Sequence, residues 1–437
     1  MAKGTISVAD IRKEVEKNEA HHIHVLREGL KASFLSRDDF QKWFAAELKR
    51  IGVEVEIFEV DPSELLEQPS QRKTLRENPS ALNRGMNVMG RVRGKTKGKG
   101  GVLVFGHADK PPESYEWGKK YPDLIEKGSR LQGPGIADDV AGLTSLLGAM
   151  ETYKQFKLEP EGDLLVASIL GKQLGVFGTY GLVRRFGPVA GAIYMHPAES
   201  GNGLGDIKVA SLGMAEFHIT VTGKAPTTTE PHKTIYSRSG VSAIEKAMRL
   251  VESIKEWAAE WARKPEIQHP ELQKAMGQSF AVSFGRFLSG SDNLVYEIPK
   301  QAVIQGAINF PPSVKLAPIQ KDFEEAVKHM AEADPWLKQG HVRLEWADVI
   351  SESCEADIES EFVRIGRKAI TDVTGKVPRY NYGHSVSDLR YPFLWWKANG
   401  FGVGPLAGDM NSETEYVDRK EYLDTISVVA EILKNAG

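Results

Sequence analysis

The sequence predicts an α/β protein with a smaller α+β module inserted into it, and three observations carry that reading. Short, nearly continuous apolar runs such as "DLLVASIL" and "GAIYMH" are of the kind buried in parallel sheets. Helical stretches with apolar residues near a 3.6 period lie between such runs. Around Gly213 the pattern changes to β-α-β-β-α-β, and after Cys354 the α/β pattern resumes.

Taken in order, residues 8–52 read as helical. In "SRDDFQKWFAAELKRIG" the residues Phe40, Trp43, Phe44, Leu48 and Ile51 share one face, and Gly52 ends it. "VEVEIFEV" alternates as a strand. "NVMGRVRGKTKGKGGVLVFGHAD" reads as two paired strands joined by a Gly/Lys turn, the second ending at His107. "GIADDVAGLTSLLGAMETYKQF" reads as an amphipathic helix with Asp138 and Asp139 at its start. The runs "DLLVASIL" and "GAIYMH" follow, with the helical "TYGLVRRF" between them. In the inserted segment, "AEFHITVTG", a helix from Ser239, "SFAVSFGRFL", "AVIQGAINF", a helix from Ala317 and "HVRLEWADVI" give the split β-α-β order of a ferredoxin-like domain. A helix over 357–374, the strand "GFGVGPLAG" and a final helix complete the chain. The expected division is a discontinuous domain, 1–213 with 351–437, and an inserted domain, 214–350.

Composition narrows the chemistry. At 437 residues the chain exceeds one ordinary core. With 41% hydrophobic and 26% charged residues it has the balance of a soluble globular protein. A formal charge of −3 gives no basic field, so nucleic acid is excluded as a partner. Cys354 is the single cysteine, which rules out an intrachain disulfide and a thiolate metal cluster. Any metal must rest on His and carboxylate ligands. The polar start "MAKGTISVADIRKEVEK" is unlike a signal peptide, and no run of ~18 apolar residues exists. No membrane contact and a cytoplasmic location are therefore expected.

In open α/β sheets, ligands gather beyond the carboxyl ends of the strands. Four polar clusters sit at such ends: His107 and Asp109 in "GHAD", Asp138 and Asp139 in "GPGIADD", Lys172 and Gln173 in "LGKQLG", and His196 and Glu199 in "MHPAES". Each has an ordinary explanation: strands stop at polar residues, and acidic residues favour helix N-termini. Taken together they make a different case. His-x-Asp lets a carboxylate fix the tautomer of a ligating imidazole, while Asp and a second His supply further bonds to a divalent ion. Elsewhere, His21, His22 and His24 read as solvent-facing, Cys354 as structural, and Trp257 with Trp261 as core or subunit contact.

On these residues the chain resembles the dinuclear metallopeptidases and amidohydrolases that include aminoacylase, carboxypeptidase G and acetylornithine deacetylase. "GHAD", "GPGIADD", "GMAEFHITVTGKA", "SGSDN", "SVSDLRYP" and "ETEYVDRKEYL" carry the resemblance in their order and spacing. It implies a three-layer α/β metallopeptidase-type catalytic domain and an inserted ferredoxin-like domain that dimerises, hence a homodimer or higher homo-oligomer. It also implies His107, Asp138 and His196 as ligands of one metal, with Asp109 behind His107.

Departures from the family pattern are equally informative. The Glu-Glu pair that supplies the general base and a second-metal ligand reads Lys172-Gln173, and the late His, four residues before Glu415, reads Asn411. The usual His of the inserted domain is missing from "GKAPTTTEPH". One divalent transition metal, Mn or Zn, is expected, with the Lys172 ammonium supplying positive charge in place of a second ion. Lys172 and Arg390 suit a small anionic, carboxylated substrate, with Gln173 and Asn411 as further substrate contacts. Water activation falls to Glu199, Asp139, His384 or the metal alone. The reduced site resembles that of 5-nitroanthranilate aminohydrolase, so the leading expectation is hydrolytic deamination of an activated aromatic amine. N-acyl amino acid amide hydrolysis and a catalytically silent binding protein are the alternatives.

Overall fold

The computed structural model describes residues 6–60, 85–172, 177–197, 200–225, 240–290, 297–384 and 387–436. The chain divides into two compact units, one being Leu212–Ser353 and the other the chain on either side, through Ser211 and from Cys354.

The larger unit begins with three helices, α1 (Val8–Lys17), α2 (Glu19–Leu35) and α3 (Arg37–Arg50), where the sequence reads one helical stretch. The breaks have local causes. Asn18 caps the end of α1, and Ser36 begins α3 by accepting the Asp39 N–H on its hydroxyl. Phe40, Phe44 and Leu48 are fully buried, as their spacing predicts. His22 departs from expectation: it is 3% exposed, whereas His21 and His24 face solvent.

The sheet that organises this unit contains β1 (Glu54–Phe58), β2 (Asn87–Val92), β3 (Val102–His107), β6 (Leu164–Ile169), β7 (Gly191–Met195), β8 (Asp206–Lys208), β15 (Arg379–Asn381) and β16 (Asn399–Val403). Their order is β1-β2-β6-β3-β7-β16-β8-β15. A smaller sheet has the order β17 (Ala407–Gly408), β18 (Tyr416–Asp418), β5 (Arg130–Gln132) and β4 (Ile125–Lys127). Helices α4 (Pro112–Lys120), α6 (Phe177–Arg185) and α10 (Glu361–Thr374) lie between strands. The central strands β6, β3, β7 and β16 run parallel, and β3, β6 and β7 are buried along their whole length, which accounts for their unbroken apolar sequences. Register places the site: Phe105 lies beside Tyr194 and His107 beside Ile169. His107 and His196 therefore emerge level with one another, and the chain past Ile169 reaches Lys172 at the same edge.

Two expectations are corrected here. First, β2 and β3 do not pair, because β6 lies between them, antiparallel to β2 and parallel to β3. The Gly/Lys turn is bonded instead to the segment entering β6, with Lys95 N–H on the Pro160 carbonyl and Thr96 N–H on that of Glu161. Second, Asp138 and Asp139 are not in the helix. They occupy a wide turn, Ile136–Val140, with non-helical backbone angles, and α5 (Ala141–Gln155) starts after it. Nor is α5 amphipathic: Ala141–Met150 is buried throughout, because the helix packs against the sheet, α2 and the C-terminal helix α11 (Arg419–Ala436).

The chain leaves this unit on β9 (Ala210–Ser211) and returns on β14 (Cys354–Glu355), which pairs antiparallel with β9. That pairing ties the two ends of the insertion together. The inserted unit contains β10 (Gly213–Thr222), α7 (Ala243–Trp261), α8 (Pro270–Met276), β11 (Ala281–Ser289), β12 (Gln301–Phe310), α9 (Leu316–Glu332) and β13 (Val342–Ser351). Its antiparallel sheet has the order β11-β12-β10-β13, which is the split β-α-β arrangement. Phe217, Ile219 and Val221 project from β10 into a core with Trp257 and Trp261, whose indole N–H groups both donate to Asp322. The two tryptophans are therefore core. β11 is an edge strand, and Phe287 and Leu288 on it are each 42% exposed.

Burial pushes His22 down to about 4 from 6.5. The unfolded chain therefore takes up this proton first, and the contribution is lost as pH falls from 6.5 toward 4. Between neutrality and about pH 5 the loss is about 2 kcal/mol. Urea unfolding at both pH values should find that difference reduced by about that amount in His22→Leu.

Candidate metal centre

At the end of β3 the His107 ring is wholly buried, with Nδ1 3.0 Å from the Asp109 carbonyl and 3.5 Å from the Asp109 carboxylate. Both neighbours are acceptors, so Nδ1 carries the proton and Nε2 points at Asp138 Oδ1, 2.6 Å away. The Asp109 carboxylate also ties the end of β6 to the end of β3, because its Oδ1 accepts the N–H groups of Gly171 (3.0 Å) and Lys172 (3.2 Å). His196, just past β7, places Nε2 3.0 Å from the same Asp138 oxygen and Nδ1 2.9 Å from the Pro197 carbonyl. Lys172 Nζ completes the set, 3.3 and 3.4 Å from the two Asp138 oxygens.

The ligand atoms of His107, Asp138 and His196 all lie within 4.8 Å of one another. Two imidazole nitrogens and a carboxylate, with both Nδ1 atoms set against carbonyls, form a donor set that suits a divalent cation. Among the described residues this is the one such group. The residues present therefore fit the metal.

The electrostatics follow from crowding unlike charges out of water. Burial alone depresses His107, yet the facing Asp138 carboxylate and the hydrogen bonds to Asp109 and Asp138 carry it up to about 10. Burial opposes ionisation of Asp138, but Lys172 and His107 hold it well below the usual carboxylate range. Burial, with the charges of Lys208 and Lys172, pushes His196 down to about 3. Burial and the Asp138 charge raise Glu415 to about 7 against its backbone N–H donors, and burial lowers Lys110 to about 7.

The remaining predicted residues fall in different places. The Asp139 carboxyl accepts the His107 backbone N–H at 3.2 Å and packs against Gly106 and Gly142. A Cβ on Gly142 would sit 2.2 Å from Asp139 Oδ1, so only glycine fits there. Burial raises Asp139 well above the ordinary value. His384 is buried, its ring 5.5 Å from that of His196. Arg390 is buried with its guanidinium 5.0 Å from the Tyr391 ring, and its Nη1 has no hydrogen-bond partner among the described residues. Asn411 is exposed, at a left-handed φ of 58°. Gln173 and Glu199 lie outside the described residues.

Three further residues belong to the site. Lys208, 1% exposed, sets Nζ 3.0 Å from His196 Nδ1 and 2.9 Å from the Pro197 carbonyl. The signal for it is a lysine inside the apolar run "DIKVAS". Asp388 is wholly buried, accepts the Thr179 hydroxyl at 2.6 Å and is raised by burial. Glu415 accepts backbone N–H groups of the Asp138 turn.

Comparison with known proteins shows the family of the chain. A family profile described as Peptidase family M20/M25/M40 matches residues 103–435. The N-formyl-4-amino-5-aminomethyl-2-methylpyrimidine deformylase of Halalkalibacterium halodurans is 25% identical over 352 residues, 74% of this chain and 77% of that protein. Carboxypeptidase G2 of a Pseudomonas species is 28% identical over 172 residues, 38% of this chain and 39% of that one. The fold is that of aminopeptidase PepT from Bacillus cereus, with a TM-score of 0.69 at 17% identity over 96% of this chain and 99% of that one. The chain belongs to Peptidase family M20/M25/M40 and is a metal-dependent hydrolase of C–N bonds.

Proposed function

We propose that the chain is a mononuclear amidohydrolase that cleaves a small anionic amide, a formamide or another N-acyl amine. One observation carries the reading: the Lys172 ammonium lies against both oxygens of Asp138, at 3.3 and 3.4 Å, on the carboxylate the family uses as a bridge between two ions. A fixed ammonium supplies one positive charge there without a second cation. Amide hydrolysis takes precedence over the aromatic deamination expected from the reduced ligand set. The supporting point is the similarity to a deformylase that spans 77% of that protein, since a formamide is a compact amide.

His107, Asp138 and His196 would hold the ion. A divalent cation held there would supply Lewis-acid polarisation of the substrate carbonyl and would make water more acidic, toward a pKa of ~7 in favourable sites. Lys172 anchors Asp138 and faces the developing negative charge. Arg390, with a buried Nη1 left over, pairs with the substrate carboxylate. Asp139 gives one oxygen to the His107 N–H and its other is shut in against Gly142, so among the described candidates proton transfer is assigned to His384, whose ring lies 5.5 Å from that of His196. The exposed apolar edge of β11 supports self-association of the inserted unit.

After reconstitution with Mn or Zn, carboxylated N-formyl and N-acyl amines should be hydrolysed faster than activated aromatic amines release ammonia; the reverse order would restore deamination. Metal analysis should find one divalent ion per chain, removed by Asp138→Asn, and two tightly held ions would contradict the mononuclear reading. Lys172→Arg should keep part of the activity and Lys172→Glu should lose it, because the role is charge. Sedimentation at micromolar concentration should give a dimer or larger species that Phe287→Lys weakens.

A further inference from the structure

Glu415 is 1% exposed and separated from Asp138 by 277 positions in the chain, yet it sits directly under the Asp138 turn. Strand pairing brings it there. β18 runs antiparallel to β5, with Tyr416 opposite Gln132, and the Gly133 N–H donates to the Glu415 carbonyl at 2.9 Å. The Glu415 side chain thus starts level with the point where β5 runs into the 133–140 segment.

Its two oxygens accept four backbone N–H groups. Oε1 takes those of Ala137 (2.7 Å) and Asp138 (3.0 Å), and Oε2 takes those of Gly135 (3.2 Å) and Asn411 (3.1 Å). The first three belong to the turn that carries the ligand Asp138. The turn is non-helical at Asp138 and Asp139, so it needs acceptors from outside itself. The fourth donor comes from a separate loop, where Asn411 stands at the position from which the family draws a second-metal ligand.

We propose that Glu415 is a positioning residue of the metal centre: one buried carboxylate holds the Asp138 turn and the Asn411 loop together as a single unit. The metal part of this rests on the reading that His107, Asp138 and His196 hold the cation. The chemistry requires a carboxylate. Ionised, it only accepts, and it has room for two N–H groups on each oxygen. A glutamine at this position presents one accepting oxygen and turns an NH2 group toward two backbone N–H groups, so one pair of donors loses its acceptor whichever way the amide is turned.

The test uses the full chain, with cobalt(II) alone as the probe, followed by its visible d–d spectrum, and with peptide-resolved amide hydrogen exchange. In Glu415→Gln, exchange at 135–138 and at 411 should rise together by at least ~10-fold. Cobalt affinity should fall by ~10–100-fold with altered d–d bands, the size of effect usual for a partner that orients a ligand. Glu413→Gln, which removes an exposed partner of Lys120, should leave both readouts as in the wild type. Unchanged exchange at either segment, or unchanged cobalt binding and spectrum, would overturn the proposal. If Glu415→Gln fails to fold, the wild-type chain decides: common protection of 135–138 and 411 supports the shared hold, and unrelated protection refutes it. If the wild type takes up no cobalt, the metal reading fails, while exchange in the variant still decides whether Glu415 joins the two loops.

Discussion

Three groups from three separate strand ends converge on one oxygen of the Asp138 carboxylate: His107 Nε2, His196 Nε2 and Lys172 Nζ. The arrangement of the site depends on that convergence. A carboxylate 3% exposed is costly to bury without compensation, and equally so are the groups gathered around it. Each therefore needs the others, and each must be held at short range. Backbone does most of this holding. The Asp109 and Pro197 carbonyls orient the two rings, and Asp109 ties Lys172 through main-chain N–H groups.

The parallel sheet makes the convergence possible. Because β3 lies between β6 and β7 in register, one edge presents His107, with the chain leading to Lys172 one strand spacing to one side and His196 one strand spacing to the other. Packing immediately behind that edge is tight. Asp139 reaches the His107 backbone only because Gly106 and Gly142 leave room for its carboxyl, so glycines without polar chemistry of their own are part of the site. The inserted unit does not interrupt this arrangement, since the chain departs and returns on the paired strands β9 and β14.

Substituting an ammonium for a cation also changes what the site can do. A metal ion accepts lone pairs from several directions, whereas an ammonium only donates hydrogen bonds and neutralises a single charge. In the mononuclear reading proposed above, the Lys172–Asp138 contact would keep the carboxylate in use while withdrawing it from a second ion.

Much of this was legible in the sequence. Unbroken apolar runs announced buried parallel strands, the change of pattern at Gly213 announced the insertion, and His107, His196 and Lys172 stood at strand ends, where α/β sheets place their ligands. These are local signals, set by residue type and period. What only the tertiary structure decided is non-local. No local pattern shows that β6 slips between β2 and β3, that His22 turns inward, or that the Asp138 turn is held open before its helix begins. Neither does it show that Glu415, 277 positions away, supplies the acceptors for that turn. The reason is physical. A backbone N–H looks the same in every residue, so the identity of its acceptor is determined by which chain segments the sheet brings together, and that is settled only when the whole core packs.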